Sequence, residues 1–541
     1  MSYQLEFRNN VVETQNFPPL RCIVLLFLLC IVASESFSQG KIKASKKYYK
    51  GLNEANPISS NRFCADPTAV EYEGRLYVYG TSDHEQYEAV GVNGKNTYDK
   101  IKSLEIFSTN DMVNWTYHGV INVKEVAPWI INSWAPSIVS RKEADGLTHF
   151  YLYFSNNGTG VGVITATSPT GPWSDPLGAP LILSGMSKVE GVPNPFDPGV
   201  CIDDKGVGYL AFGGGVAKNG TDALPRTARI ARLGKDMISL DTVVEIKAPY
   251  FFEASELNFV NGTFIYTYNN NWVSREEWDF SIAPQPSQCS MSYMTTTTPL
   301  ETDSWKYRGH YLQNPGDLGL FYSNNHTHFQ KYNGKYYLCY HTLLLHGAMM
   351  PQGSELAFRS LCVNEMKIDE NTQKIAMVKA DKQGVKPTTI HTTSEQYWGA
   401  TMFTSAEMAF EPDSSMGVKN SLSVISSSQN GGPKSLEQFH PYMVSKSTAA
   451  GAWQSIKNVD VQSGTLYIKA SGKGTIKICL DSPKAKPVAT ITLDSGNTTF
   501  DTLGGESVKV KVKKPGVHTV YFVFSEPNMC LHSWCWNNIS L

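Results

Sequence analysis

Three acidic residues stand at equivalent points of a repeated sequence unit: Asp66 in ADP, Asp197 in FDPG and Glu253 in FEAS. Each precedes an apolar, strand-like run, followed by a turn and a second strand rich in Tyr, Phe and Leu. Like charges brought close together resist joint ionisation, so one carboxyl of such a set keeps its proton while another keeps its charge. That division suits hydrolysis of a glycosidic bond. One carboxyl protonates the leaving oxygen, another acts on water or as a nucleophile, and a third tunes and orients the acid. Glu256, three residues after Glu253, is a rival for the acid. Taken singly, an Asp before Pro is equally well a turn or cap residue. The recurrence at matching positions is what favours a shared site.

The repeat also defines the scaffold. Segments 65–80, 134–155, 196–213, 252–268 and 325–341 each open on a polar or small pair and then read strand, turn, aromatic strand. Glu-Gly at 73–74 and Asn-Gly at 261–262 and 333–334 are hairpin signals. Five units about 55–75 residues apart predict an all-β fold with a five-bladed β-propeller over residues 60–375. A long sandwich gives no reason for a fivefold repeat, and a β-helix has shorter ones. In a propeller the innermost strands start beside one axis. Asp66, the pair Trp134–Ala135, Asp197, Glu253 and the pair Asn325–His326 are therefore expected at one end of the channel. Trp134 and Phe196 are candidate walls for a sugar ring, with core packing as the competing role.

Residues 376–400 turn polar and Thr-rich around Pro387 and read as a linker or wrapping segment. Beyond them, 401–541 carries short alternating strands at 465–470, 475–480, 488–493, 507–513 and 518–524, which predict a β-sandwich of jelly-roll type. Residues 1–38 read as an export signal. An apolar run at 22–33 follows Arg21, and Ser36 and Ser38 precede Gln39. The run is too short to span a bilayer, so a periplasmic or extracellular location with no membrane span is expected. Glu6 and Glu13 are atypical ahead of such a signal and point to a start codon further in. Leu29 before Cys30 is too large for the usual lipoprotein cleavage site. Cys22 and Cys30 lie in this segment, and the other eight cysteines show no CxxC pair and no zinc spacing.

Lys plus Arg total 47 against 49 Asp plus Glu, with no basic run. That balance gives no reason to expect nucleic acid as a partner, since its phosphates need clustered cations. HExxH, GxSxG and P-loop patterns are absent, and the glycines at 160–163 and 213–220 lack the GxGxxG spacing.

The ADP of Asp66, FDPGVCIDDKGVGYLAFGGG around Asp197, FEAS of Glu253 and NNHTH before YNGKYYLCYH resemble glycoside hydrolase family 43. Supporting segments are 108–119, WAPSI at 134–138 and 166–173. The likeness spans about residues 60–375 and is strongest to arabinofuranosidase and xylosidase members that debranch arabinoxylan. It implies an inverting enzyme with Asp66 as general base, Asp197 as the carboxylate that modulates the acid's pKa, and Glu253 as general acid. Inverting pairs stand about 6.5–9.5 Å apart to admit a water. Arg359 in AFRSL resembles a family arginine that reaches the pocket, and competes with a surface salt bridge as its explanation.

His326 resembles a histidine near a central-channel metal, usually calcium. Calcium prefers oxygen ligands, so a structural role is expected of any ion there and no cofactor for the chemistry. His328 and His341 read as packing or strand residues. The runs AGAWQSIKNVDV, GTIKICLDSP and PGVHTVYFVFSEPN with the terminal LHSWCW resemble a family 6 carbohydrate-binding module. That likeness implies sugar contacts for Trp453 and for Trp534 or Trp536, and makes Glu407 the candidate residue of its calcium site. The competing role for these tryptophans is the core of a bracing domain. The expected substrate is plant cell-wall arabinoxylan or arabinan, cleaved from chain ends at terminal α-L-arabinofuranosyl or β-D-xylosyl units. An endo-arabinanase and a non-catalytic glycan-binding protein of a polysaccharide-uptake system are the alternatives.

Overall fold

Tight hairpins organise the first two-thirds of the chain. The computed structural model describes residues 50–215, 223–272, 278–350, 356–392, 396–413, 443–494 and 506–536; the expected export signal lies outside them. At Glu73-Gly74, Asn261-Gly262 and Asn333-Gly334 both turn residues have positive φ, near 48° and 77°. The flanking pairs Tyr72–Arg75, Val260–Thr263 and Tyr332–Lys335 close the ladders across two-residue turns. That is the primed geometry whose twist matches the strands.

Each repeat becomes the first hairpin of one antiparallel sheet, and the all-β expectation holds. The first strands are Ala65–Tyr72, Trp134–Lys142, Gly199–Ile202, Phe251–Val260 and Thr327–Tyr332. Their sheets contain five, four, four, four and three strands. These first strands neighbour one another in sequence order, and the fifth also lies against the first. Buried aromatics such as Tyr79, Phe154, Phe212, Tyr266 and Tyr340 come from the second strands and fill the spaces between sheets. Strands buried on both faces read as the near-continuous apolar runs of the sequence.

Two further sheets of six strands each enclose a common apolar core. Ile456, Ile478, Ile491 and Phe522 enter it from one sheet; Leu466, Ile468, Leu531 and Trp534 enter from the other. Residues 376–400 are no free connector. His391–Thr392 pairs in parallel with Trp453–Val461, and Gln396–Trp398 pairs with Cys530–Trp536. Thr401–Met402 then adds a fifth strand to the first sheet of the five-sheet half. Buried polar contacts lock this junction. Asp111 receives His391 Nε2 at 2.6 Å, and Lys50 Nζ donates to the carbonyl of Phe403 at 2.9 Å.

The tryptophans expected to touch sugar are core residues. Trp534 and Trp536 are 1% and 0% exposed, and Trp453 is 5% exposed. Trp534 stacks on Tyr397 at 4.2 Å, Trp453 packs edge-on to Tyr521, and Trp536 Nε1 donates to the carbonyl of Gln462. An aromatic binds sugar through an open face, and none of the three presents one. Trp534→Ala is expected to cost about 3–5 kcal/mol of stability, read by denaturant unfolding. A loss under about 1 kcal/mol contradicts this packing.

Candidate active site

The site is built where the first strands begin. Asp66, Ala135, Asp197 and Ala254 all have positive φ, at 48°, 21°, 48° and 60°. The pairing registers slip there in three sheets, between 65 and 68, 134 and 136, and 253 and 256. Left-handed backbone costs a non-glycine residue about 1–3 kcal/mol and persists only where neighbours enforce it. Here each strained amide is held from an adjoining sheet. Ala135 N–H donates to Thr81 Oγ1, Asp197 N–H to Ser155 Oγ and Asp66 N–H to His341 Nδ1. In the third sheet the equivalent second-strand end is Gly213, without a side chain. There Asp197 itself takes over, accepting Ala254 N–H at Oδ2.

These kinks bring Asp66, Asp197 and Glu253 into one pocket of about 370 Å³, lined also by Trp134, Phe196, Asn325, His326 and Arg359. Asp66 and Asp197 are each 5% exposed, whereas Glu253 is half-buried and keeps access to the pocket. Asp66 receives Arg359 Nη1 at 2.8 Å on Oδ1 and Thr81 Oγ1 at 2.7 Å on Oδ2. Burial alone would raise its pKa, but Arg359, then His341 and His326, outweigh that and hold the carboxyl below its ordinary value. His341 Nε2 donates to the carbonyl of Asn324, which fixes the tautomer of a neutral ring. Burial and Arg359 push the pKa of His341 down to about 3.

The other two carboxyls shift the opposite way. Burial, followed by the charges of Asp197 and Asp66, pushes Glu253 up to about 8. Burial and Asp66 push Asp197 up to about 6, against His326 and the donors Ala254 N–H and Ser155 Oγ. At neutral pH the site therefore holds an ionised Asp66 and a protonated Glu253, a base and an acid set apart by their surroundings. The expected pH–rate profile of kcat is bell-shaped. Activity is lost as pH rises through about 8, where Glu253 gives up its proton. It falls below about 6, where Asp197 and then Asp66 become protonated. Initial rates across a constant-ionic-strength buffer series test this; a rate that keeps rising above pH 8 contradicts the assignment of the acid.

Trp134 and Phe196 are half-buried on the pocket wall. Trp134 Nε1 donates to the carbonyl of Tyr98, and the two rings meet edge-on at 6.1 Å. Phe196 lies so close to Gly214 that a Cβ there would come within 2.0 Å of its ring. Arg359 is 3% exposed and pairs with two carboxylates, so it is no surface salt bridge.

Glu256 lies one layer deeper and does not line the pocket. It is 0% exposed and accepts Ser137 Oγ, Leu257 N–H and a contact from His328 Nδ1. Gly199 backs it closely, and a Cβ at that position would stand 2.4 Å from Glu256 Cα. The rival acid is thus walled off from substrate.

His326 is buried, 3.7 Å from Asp66 through Nδ1, and its Nε2 has no partner. Among the described residues no group of three or more His, Cys, Asp or Glu side chains is arranged to hold a metal ion. A calcium ion wants six to eight oxygens, and the imidazole of His326 does not supply one. Glu407 is not part of the pocket. It borders a separate cavity at the junction with the two-sheet domain, where Thr448 donates to its carbonyl. The eight described cysteines form no disulfide.

Sequence reasoning missed two contributors, Tyr98 and Asp83, and placed Asn325 without its unpartnered amide. Tyr98 covers Arg359, whose guanidinium carbon stands 4.9 Å from the ring centroid. Asn325 is 1% exposed in the pocket wall with both side-chain amide atoms unpartnered. Its place at the start of the fifth unit was visible; its orphaned amide was not. Asp83 grips Arg359 from behind through Nε and Nη2.

A half-open acid, an ionised base and a third carboxylate in one sugar-sized pocket define a glycoside hydrolase. The family model "Glycosyl hydrolases family 43" matches residues 55–374, and "Carbohydrate binding module (family 6)" matches residues 426–537. The chain belongs to glycosyl hydrolases family 43. It is 31% identical over 534 residues to an arabinoxylan arabinofuranohydrolase of Bacillus subtilis (strain 168), covering 93% of this chain and 96% of that one. It is 29% identical over 526 residues to an arabinoxylan arabinofuranohydrolase of Paenibacillus polymyxa, covering 93% and 77%. Among solved structures it is similar to a family 43 arabinoxylan arabinofuranohydrolase from Bacillus subtilis in complex with cellotetraose. That match has a TM-score of 0.78 and 30% identity, over 92% of this chain and all of that one.

Proposed function

We propose that this chain is an exported, inverting exo-glycosidase that removes terminal α-L-arabinofuranosyl units from arabinoxylan, its five sheets forming the blades of a propeller. The observation that carries the reading is the convergence of Asp66, Asp197 and Glu253 in one pocket with their pKa values driven apart. The ring of neighbouring first strands supports the propeller. The names of the two similar arabinofuranohydrolases support the sugar and the polymer. A bounded pocket supports removal of single end units over cleavage within an arabinan chain, and retention of all three carboxylates argues against a role in binding alone.

In the reaction, Glu253 passes its proton to the glycosidic oxygen as the bond to the anomeric carbon breaks. A water on the opposite face forms the new bond to that carbon and gives its proton to Asp66. Trp134 and Phe196 flank the sugar. The apolar run at 22–33 behind Arg21 supports export.

The test is hydrolysis of nitrophenyl α-L-arabinofuranoside, nitrophenyl β-D-xyloside and wheat arabinoxylan. Release of arabinose from the polymer is the expected result. Release of xylose alone moves the reading to a xylosidase, and no release from any of the three contradicts it.

A further inference from the structure

Behind the pocket, one guanidinium serves two buried carboxylates unequally. Arg359 gives Asp66 a single bond, Nη1 to Oδ1 at 2.8 Å. It gives Asp83 a fork: Nε to Oδ2 at 2.9 Å and Nη2 to Oδ1 at 2.8 Å. The backbone N–H of Arg359 adds a third bond to Asp83 Oδ2 at 2.8 Å, and Asn96 Nδ2 a fourth at 2.7 Å. Asp83 is 0% exposed, sits at the start of the helix Asp83–Val90, and does not line the pocket. The Tyr98 ring lies over the guanidinium.

We propose that Asp83 is a positioning residue of the active site, which fixes Arg359 and keeps it paired while Asp66 takes up and returns a proton. The inference rests on the functional reading above and deepens it. A bidentate fork sets the plane of a guanidinium, whereas a single bond leaves it free to swing. The orientation of Arg359 therefore comes from Asp83, and Asp66 receives an N–H already aimed at it. During turnover a water O–H bond breaks and its proton passes to Asp66, whose charge disappears. A guanidinium with Asp66 as its sole partner would then be a buried, unpaired cation, which is costly. With Asp83 in place the pair stays satisfied, and the proton transfer carries no such penalty. The second carboxylate also offsets the cation, so Asp66 is not reduced to too weak a base for water.

The experiment compares Asp83→Asn and Asp83→Glu with the wild type by kcat, KM and the pH profile of arabinose release from arabinoxylan. The groups facing Asp66 are Arg359, His341, His326 and Thr81, with Asp197, Glu253 and Asp83 beyond. Asp83→Asn removes the charge that offsets Arg359, so kcat should fall about 10- to 100-fold with KM little changed. The lower, Asp66 step of the acidic limb should move to lower pH, because Asp66 then faces an uncompensated cation, while the Asp197 step near pH 6 stays in place. Asp83→Glu should restore the position of the Asp66 step. A kcat within twofold of wild type overturns the inference. So does a lower kcat with that step unmoved, since a merely structural role predicts that.

Where Asp83→Asn alone does not fold, Asp83→Asn with Arg359→Met is compared with Arg359→Met. No further loss in the double variant supports action through Arg359, and a further loss overturns it. Wild-type activity is read first. Its absence sinks the functional reading and this inference with it, whereas an active wild type beside an unaltered variant sinks only the inference.

Discussion

Glu253→Ala should reduce arabinose release from arabinoxylan by about a thousand-fold or more, toward the upper end of what a general acid supplies. The leaving group is a sugar alkoxide, which departs poorly without a proton, and Glu253 is the carboxyl that carries one at neutral pH. The loss should depend on the substrate. A dinitrophenyl arabinofuranoside, whose phenolate leaves unaided, should retain far more of its rate. The fall in activity above pH 8 should vanish with the side chain that causes it. Equal losses on both substrates would place the acid elsewhere. Glu256, the neighbouring carboxyl, is sealed beneath the pocket floor by Ser137 and His328 and cannot reach a glycosidic oxygen.

Asp66→Asn is expected to have the second large effect, a comparable drop in kcat with KM and arabinose affinity little changed. An amide does not take a proton from water, yet it fills the same space and leaves Arg359 held by Asp83. Unlike Glu253→Ala, this loss should be the same for good and poor leaving groups, because activating water is needed with either. The two substitutions therefore separate the acid from the base by their substrate dependence. Calorimetric titration with arabinose checks the binding half of the expectation. A tenfold loss of affinity would mean that Asp66 chiefly holds sugar.

The hairpins and the three carboxylates were legible because they obey local rules. Asn-Gly turns and aromatic alternation announced the ladders, and the repeat aligned Asp66, Asp197 and Glu253. The strained φ values that aim these residues were not legible. They arise from donors and acceptors on other sheets, Thr81, Ser155 and His341, far away in sequence. Asp83 was hidden for a related reason: it lies on a short helix between the second and third strands of its sheet, outside the hairpin that the repeat announces.

The tryptophans misled for a different reason. Trp534 and Trp536 stand two residues apart on one strand and so share a face. That parity was visible, but only the partner sheet, bringing Phe522 to 5.1 Å from Trp534, identifies the face as the inner one. The module's resemblance suggested sugar contacts that its own core consumes.

The central claim is that water attacks from the face opposite the leaving group, drawn on by Asp66 while Glu253 protonates the bond. The most direct test is time-resolved proton NMR of the anomeric signal during hydrolysis of an α-L-arabinofuranoside, recorded before mutarotation sets in. The account predicts that β-L-arabinofuranose appears first and the α anomer later. First appearance of the α anomer would mean a covalent glycosyl-enzyme and a nucleophilic carboxylate, and would contradict the roles assigned to all three residues.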